Sequence, residues 1–255
     1  MNRGDHLATI AEVLAGTTGA KVPYPIGIRE LEVVRSEMVG TGLLRLTLGG
    51  PELAGFESHA PDEHVRLVYP DADGTLRLPE RDGFSLKWPR PLPISREYTV
   101  RRYDAEAGEL DLDFALHEGG YASDWAQAAT VGTRVHVAGP PGGVVVPWTY
   151  DRYLLAGDIT ALPAIARWLE MMPAAAAGWV FVEITDLHRK SNSLFRKESR
   201  CDGCTAVTSQ PVTRICSSRQ SGRSPCPKVS ASTPGSPVRP PVSSRFADSC
   251  ATNSA

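Results

Sequence analysis

The stretch Arg96-Glu-Tyr98-Thr99-Val100-Arg101 gathers the most chemistry into the fewest residues. On an extended strand Arg96, Tyr98 and Val100 share one face, and Glu97, Thr99 and Arg101 share the other. A tyrosine two residues from an arginine and beside a threonine can stack on a planar ring, hydrogen-bond it and balance a phosphate charge. An exposed strand of alternating charge explains the spacing equally well. Downstream, His117-Glu-Gly-Gly120-Tyr-Ala122-Ser123 puts a glycine turn before a helix expected to start near Ala122. Backbone N–H groups at such a start attract a pyrophosphate, whereas an ordinary turn capped by Ser123 is the plain alternative. In Gly157-Asp158-Ile-Thr160-Ala161 a short apolar strand turns into a helix, with Thr160 placed to cap it and Pro163 in its first turn.

Other candidates carry less. His59 and His64 flank Asp62 and Glu63, but without further ligands they read as polar residues entering a strand rather than a metal site. Prolines in Gly139-Pro-Pro-Gly-Gly143 remove the donors that a phosphate cradle needs, so this stretch reads as a linker. No Ser-His-Asp order or metal-binding cluster stands out, and no metal site is expected.

The elements that must position these residues follow from periodicity. Leu7, Ile10, Ala11 and Leu14 recur at helical spacing after Asp5, a candidate N-cap, and Gly16 stops the run. Strands are expected at Leu44–Leu48, His64–Tyr69, Glu97–Tyr103, Leu110–Leu116 and Thr133–Ala138, where apolar residues alternate with polar ones or Gly, Pro and Asp turns intervene. Such short strands over 28–147 predict an antiparallel barrel. Strand 153–156, helix 162–169 and strand 179–184 then make one βαβ unit, the start of a parallel α/β domain.

Composition breaks after Asp186. All five cysteines follow that point and all five tryptophans precede it. Residues 187–255 carry 11 basic against 3 acidic side chains, a net +8; subtraction leaves 16 basic and 26 acidic in 1–186, a net −10. With 15 serines and 7 prolines, the 187–255 segment holds too few apolar residues to offset its ordering entropy and is expected to be disordered. A reading-frame change near codon 186 would produce such a shift. Cys201-Asp-Gly-Cys204 has the spacing of a zinc ligand pair, but no second pair completes it. The overall charge of −2 argues against broad attraction to nucleic acid or anionic membrane. No apolar run is long enough to span a bilayer and the N-terminus lacks a secretory pattern, so a cytoplasmic monomer with reduced cysteines is expected.

Four motifs occur together in order: Arg96-x-Tyr98-Thr99-Val100-Arg101, Asp113-Phe-Ala-Leu-His117, Gly120-x-Ala122-Ser123-x-Trp125 and Leu155-Ala-Gly157-Asp158-Ile-Thr160-Ala161-Leu-Pro163. Over residues 25–186 the chain resembles the siderophore-interacting proteins, flavin-dependent ferric-siderophore reductases related to ferredoxin reductases. The resemblance implies a Greek-key FAD-binding barrel at 25–147, preceded by the helical lead-in 1–24. It implies a truncated parallel nicotinamide-binding unit at 148–186, before the 187–255 tail. Arg96, Tyr98 and Thr99, with Val100 and Arg101 beside them, would hold the flavin ring and ribityl–phosphate region. His117, Gly120, Ala122 and Ser123 would meet the rest of FAD; Gly157, Asp158, Thr160 and Ala161 would sit at NADPH or NADH. The substrate would be a ferric siderophore, its anionic chelate met by a basic side chain among Arg29, Arg66 and Arg101. Ile159 departs from the family, which commonly has Glu there, and the family's later strands and C-terminal segment have no counterpart. An FAD-binding remnant without reductase activity and a non-catalytic siderophore-binding protein are the alternative functions.

Overall fold

In the computed structural model, residues 3–40, 42–83, 85–183 and 212–215 are described. In chain order the elements are α1 (Arg3–Ala15), β1 (Ala20–Pro23), β2 (Ile28–Met38), β3 (Leu43–Gly49), β4 (His64–Val68), β5 (Glu80–Asp82), β6 (Ser85–Lys87), β7 (Ser95–Thr99), β8 (Arg102–Asp104) and β9 (Glu109–Ala115). They continue with α2 (Tyr121–Ala128), β10 (Arg134–Ala138), β11 (Gly142–Val145), β12 (Tyr153–Asp158), α3 (Leu162–Met171), β13 (Gly178–Glu183) and β14 (Val212–Ile215).

Alternation sets the larger core. In the β3–β9 pair, Leu44 lies opposite Phe114, Leu46 opposite Leu112 and Leu48 opposite Leu110. All six are buried, and they join Leu31, Val33, Val65, Leu67 and Val137 in one apolar cluster. The other face of the same pair carries charge. Arg45 Nε and Nη2 donate to the Asp113 carboxylate at 2.7 and 2.8 Å, and Thr47 Oγ1 donates to Asp111 Oδ1 at 2.7 Å. Both aspartates are buried, so these pairings supply what burial of a carboxylate demands.

Seven antiparallel strands form the main sheet in the order β7-β4-β10-β2-β3-β9-β8. This non-sequential order gives the expected barrel-like architecture, but the sheet stays open: β7 and β8 are its two ends. Glu97–Tyr103 is therefore two strands rather than one. The backbone changes partner in the middle: Val100 N donates to Glu63 O, and Arg101 N donates to Asp111 O. The strand that starts beside β4 thus finishes beside β9.

Around the N-terminus, β1 pairs with β11 under α1. Gly142–Val145 is thus a strand, not part of a linker; a side chain at Gly142, where φ is +100°, would collide with the Val22 carbonyl oxygen at 2.0 Å. The helix begins at Arg3, which puts Asp5 inside its first turn rather than at its N-cap. Its inward face is His6, Ile10, Val13 and Leu14, while Leu7 and Ala11 face outward. Helical spacing located the helix, but polar His6 concealed which stripe is buried.

The α/β unit is β12 parallel to β13 with α3 across them. Ile165, Leu162, Val180 and Val182 bury against Leu43 and Ala115 of the main sheet and Val39 in the turn after β2. The expectation of a disordered 187–255 segment meets one correction. Val212-Thr-Arg-Ile215 is a strand antiparallel to β13, and the sheet therefore has three strands. An edge strand offers a row of unpaired backbone groups, and a β-branched run is suited to fill it. The rest of that segment, with its cysteines, lies outside the described residues. No helix among the described residues is long and apolar enough to cross a membrane.

Candidate functional site

Where β7 leaves the sheet, a set of aromatic rings lines the open lip. Tyr98 packs on Phe114 at 4.1 Å between ring centres, and Phe114 meets Trp125 of α2 at 6.1 Å. Tyr69, just after β4, touches Tyr121 at 5.3 Å and Trp125 at 5.2 Å, both edge-on. Burial pushes the Tyr98 hydroxyl up to about 12 and raises that of Tyr69 as well. Both rings stay neutral at physiological pH and can act as hydrogen-bonding stacking surfaces. The Tyr69 hydroxyl is buried and faces the Tyr98 hydroxyl, a polar pair in an otherwise apolar wall.

Arg96 stands at this wall, exposed, close enough for its charge to lower both tyrosines. Its guanidinium donates only to the neighbouring Ser95 carbonyl, at 2.8 Å. Among the described residues no carboxylate neutralises it, and it is the cation available to an anionic group. Thr99 is half-buried at the end of β7, opposite His64. The α2 start lies beside the wall through Tyr121 and Trp125. Gly120 is its N-cap, and a side chain at Gly120 would meet the His117 ring at 2.1 Å. The glycine makes room for that imidazole, which is exposed.

Other expected site residues are buried or held by protein partners. Ser123 and Ala122 are buried; Ser123 Oγ accepts from His117 N at 3.1 Å and so braces the loop. Val100 is fully buried, and its N–H and carbonyl are both taken, the latter by Arg167 Nη1 at 2.9 Å. Arg101 is buried and grips Glu170 through both terminal nitrogens, at 2.9 and 2.6 Å. Sequence spacing could not separate these from Arg96 and Tyr98, because strand alternation does not report where the backbone changes partner.

The three arginines considered for an anionic chelate also separate. Arg29 lines a cavity of about 250 Å³ but is spent on backbone carbonyls: Glu52 O at 3.0 Å, Gly139 O at 3.2 Å and Gly55 O at 3.5 Å. Arg101 belongs to Glu170. Arg66 is 37% exposed, pairs with Glu97 and lies over the Trp88 ring at 5.5 Å. It stands one strand from Arg96, since Arg66 lies opposite Glu97.

At the end of β12, Asp158 rather than Thr160 is the cap. Its Oδ1 accepts from Thr160 N at 2.8 Å and from Thr160 Oγ1 at 2.6 Å. The helical turn Ile159–Ala161 follows and α3 begins at Leu162. A side chain on Gly157 would meet the Ala161 Cβ at 2.4 Å, so glycine lets this turn fold back over the strand end. Gly157, Asp158, Thr160 and Ala161 are thus together at one strand end, as expected, with Asp158 engaged locally.

A residue missed from sequence links these parts. Glu63, fully buried, accepts from Tyr24 Oη at 2.6 Å, His59 N at 2.7 Å, Ala60 N at 2.8 Å and Ser58 Oγ, with Arg167 Nη2 at 3.8 Å. Its only sequence signal, an acid between two histidines, suggested a loop.

An open antiparallel barrel with an aromatic, arginine-edged lip is followed by a βαβ start, a two-part fold. The description "Siderophore-interacting FAD-binding domain" matches residues 32–144, and "Siderophore-interacting protein" matches 150–201. The chain belongs to the siderophore-interacting protein family. The second match runs past the composition break at Asp186 to residue 201. Ferric vibriobactin reductase ViuB of Vibrio cholerae is 41% identical over 169 residues, 66% of this chain and 61% of that protein. The NADPH-dependent ferric-chelate reductase of Escherichia coli K12 is 40% identical over 157 residues, 61% of each. A crystal structure of a siderophore utilization protein from T. fusca superposes with TM-score 0.64 at 37% identity, covering 68% of this chain and 67% of that one. The chain spans about three fifths of the curated relatives it matches.

Proposed function

We propose that the chain holds FAD against the barrel lip and passes electrons from NADPH or NADH to ferric iron in a siderophore, releasing Fe(II). The observation that carries this is the lip itself: Tyr69 and Tyr98 beside an arginine that has no carboxylate partner among the described residues, next to the start of α2. These residues fit the group. Tyr98 offers a ring face, Thr99 a hydroxyl at the strand end, Arg96 a charge for phosphate, and Tyr69 a buried hydroxyl beside that of Tyr98. His117 and the backbone around Gly120 lie where a second phosphate would gain from the helix start. When bound, the flavin accepts a hydride from the nicotinamide and gives up electrons singly, which the iron requires. The chain's own work is to bind, orient and keep water away; no side chain need move a proton. Arg66, half-exposed and paired with Glu97 on the face of the strand opposite to Arg96, is the basic residue this reading sets against an anionic chelate. The similar proteins named as ferric reductases support the same substrate class.

In this reading residues 25–147 are the flavin unit, and 148–186 with β14 belong to the nicotinamide unit. The protein works as a cytoplasmic monomer, where reduced nicotinamide is supplied. Gly157 to Ala161 would meet that cofactor through the backbone, since the Asp158 carboxylate is engaged by Thr160. That engagement favours a second reading, a flavin holder without nicotinamide-driven turnover. Titration of the purified chain with FAD tests the first claim. We expect one FAD per chain, at least tenfold weaker binding in Arg96→Ala, and bleaching of the visible band by anaerobic NADPH. A chain that takes no FAD would overturn the proposal, and one that binds FAD without bleaching would select the second reading.

A further inference from the structure

Two arginines cross between the flavin strand and α3 in opposite directions. Arg101, directly after β7 and Val100, reaches out to α3 and holds the Glu170 carboxylate through both terminal nitrogens, at 2.9 and 2.6 Å. Arg167, on α3, reaches back to the Val100 carbonyl at 2.9 Å, with Glu63 Oε2 3.8 Å from its other nitrogen. Residues 167 and 170 are three apart, hence neighbours on one face of the helix. The two arginines are 9% and 7% exposed. Asp113, itself held by Arg45, stands 3.9 Å from Arg101 Nε.

Burying two guanidinium groups costs several kcal/mol each before pairing, so such a contact is a poor choice of plain adhesive. The apolar contact of Leu162 and Ile165 with Leu43 already supplies adhesion. What apolar contact does not supply is a fixed angle, because dispersion and hydrophobic burial have no strong directionality. A two-pronged guanidinium–carboxylate pair does fix direction. Moreover, the contact does not fall on an arbitrary strand. It seizes Val100 and Arg101, the two residues after Tyr98 and Thr99, while α3 is the helix that follows the Gly157–Ala161 turn.

The geometry points to a positioning clamp: Arg101, Arg167 and Glu170 set the nicotinamide unit against the flavin strand so that the two cofactors meet at transfer distance. This rests on the function proposed above. Transfer is sensitive to misplacement by about 1 Å, which can cost on the order of a hundredfold in rate. Loosening the clamp therefore slows delivery from the nicotinamide and leaves flavin binding and the onward step to iron intact.

The test uses full-length protein loaded with FAD. Glu170→Gln removes the charge from a half-exposed side chain, and Arg101→Glu with Glu170→Arg restores the pair in reverse. Arg35→Gln cuts an exposed ion pair with Glu109 and serves as the control. Stopped-flow bleaching at saturating NADPH reads delivery; reoxidation by a ferric chelate after dithionite reduction reads the later step. We expect Glu170→Gln to slow bleaching ten- to a hundredfold, with reoxidation and FAD affinity within twofold of the parent. The reversed pair should recover at least part of the loss, and Arg35→Gln should match the parent. Bleaching within twofold of the parent, a parallel slowing of reoxidation, or a reversed pair as slow as the single variant would overturn the clamp. If the parent binds FAD but NADPH does not bleach it, the clamp is refuted while flavin binding stands. A parent that takes no FAD refutes instead the function on which the clamp rests.

Discussion

Replacing Glu63 by Gln is the sharpest perturbation of the frame that holds the site. The carboxylate is fully buried and receives two backbone N–H groups and two hydroxyls, with Arg167 close by. Gln keeps the shape but turns one acceptor into a donor. The Tyr24 and Ser58 hydroxyls can rotate to accept, but the N–H groups of His59 and Ala60 cannot. Either amide orientation therefore leaves one backbone N–H facing another donor, at about 1–3 kcal/mol. The remaining bonds lose their charge assistance, about 1 kcal/mol or more in total, and Arg167 loses its nearby anion. The sum is about 2–4 kcal/mol. For a folded part of this size it lowers Tm by roughly 10 °C. All five tryptophans precede Asp186, so urea unfolding followed by tryptophan fluorescence reads this part of the chain. A loss below about 1 kcal/mol would refute the role given to Glu63.

Other expectations are more local. Gly120→Ala must push the His117 ring aside; the ring is exposed, so stability should change by less than about 1 kcal/mol while FAD affinity falls, as isothermal titration would show. Gly157→Ala forces the Ala161 turn off the strand end. It should cost about 1–3 kcal/mol and abolish bleaching by NADPH before it affects FAD binding, read by absorbance. Hydrogen bonds from Arg35 and Arg77 hold Glu109 and Asp71 below the usual carboxylate range. Their folded values lie below their unfolded ones, so their contribution is complete above the ordinary carboxylate range and disappears as pH falls through it to the lower folded values. Urea midpoints should drop over that interval, less steeply in Glu109→Gln; an unchanged slope would contradict the pairing.

Much of the frame is legible in the sequence because alternation is a direct report of burial. Leu110, Leu112 and Phe114 announce their strand, and Leu162, Ile165 and Ala166 announce their helix. Tyr98 and Arg96 are legible as a pair able to hold a ring and a phosphate. What stays hidden is tertiary. Nothing local in Arg96–Tyr103 says that the backbone leaves Glu63 for Asp111 within two residues, which buries Val100 and brings Arg101 to Glu170. Likewise, Asp111 and Asp113 read as the solvent side of a strand. They are buried because Arg45, Thr47 and Arg102 come from other strands to meet them. The aspartate at the end of β12 caps its own turn, a role that spacing assigned to Thr160. Strand β14 was invisible because serine, proline and arginine around it outweigh four residues of β propensity.

The visible spectrum of the full-length chain with FAD, before and after anaerobic NADPH, tests the central claim most directly. A bound flavin band should bleach with NADPH and return when a ferric siderophore is added, with Fe(II) captured by a chelator. A folded chain that stays colourless with FAD in excess would contradict the assignment of Arg96, Tyr98 and Thr99, and with it the proposed function.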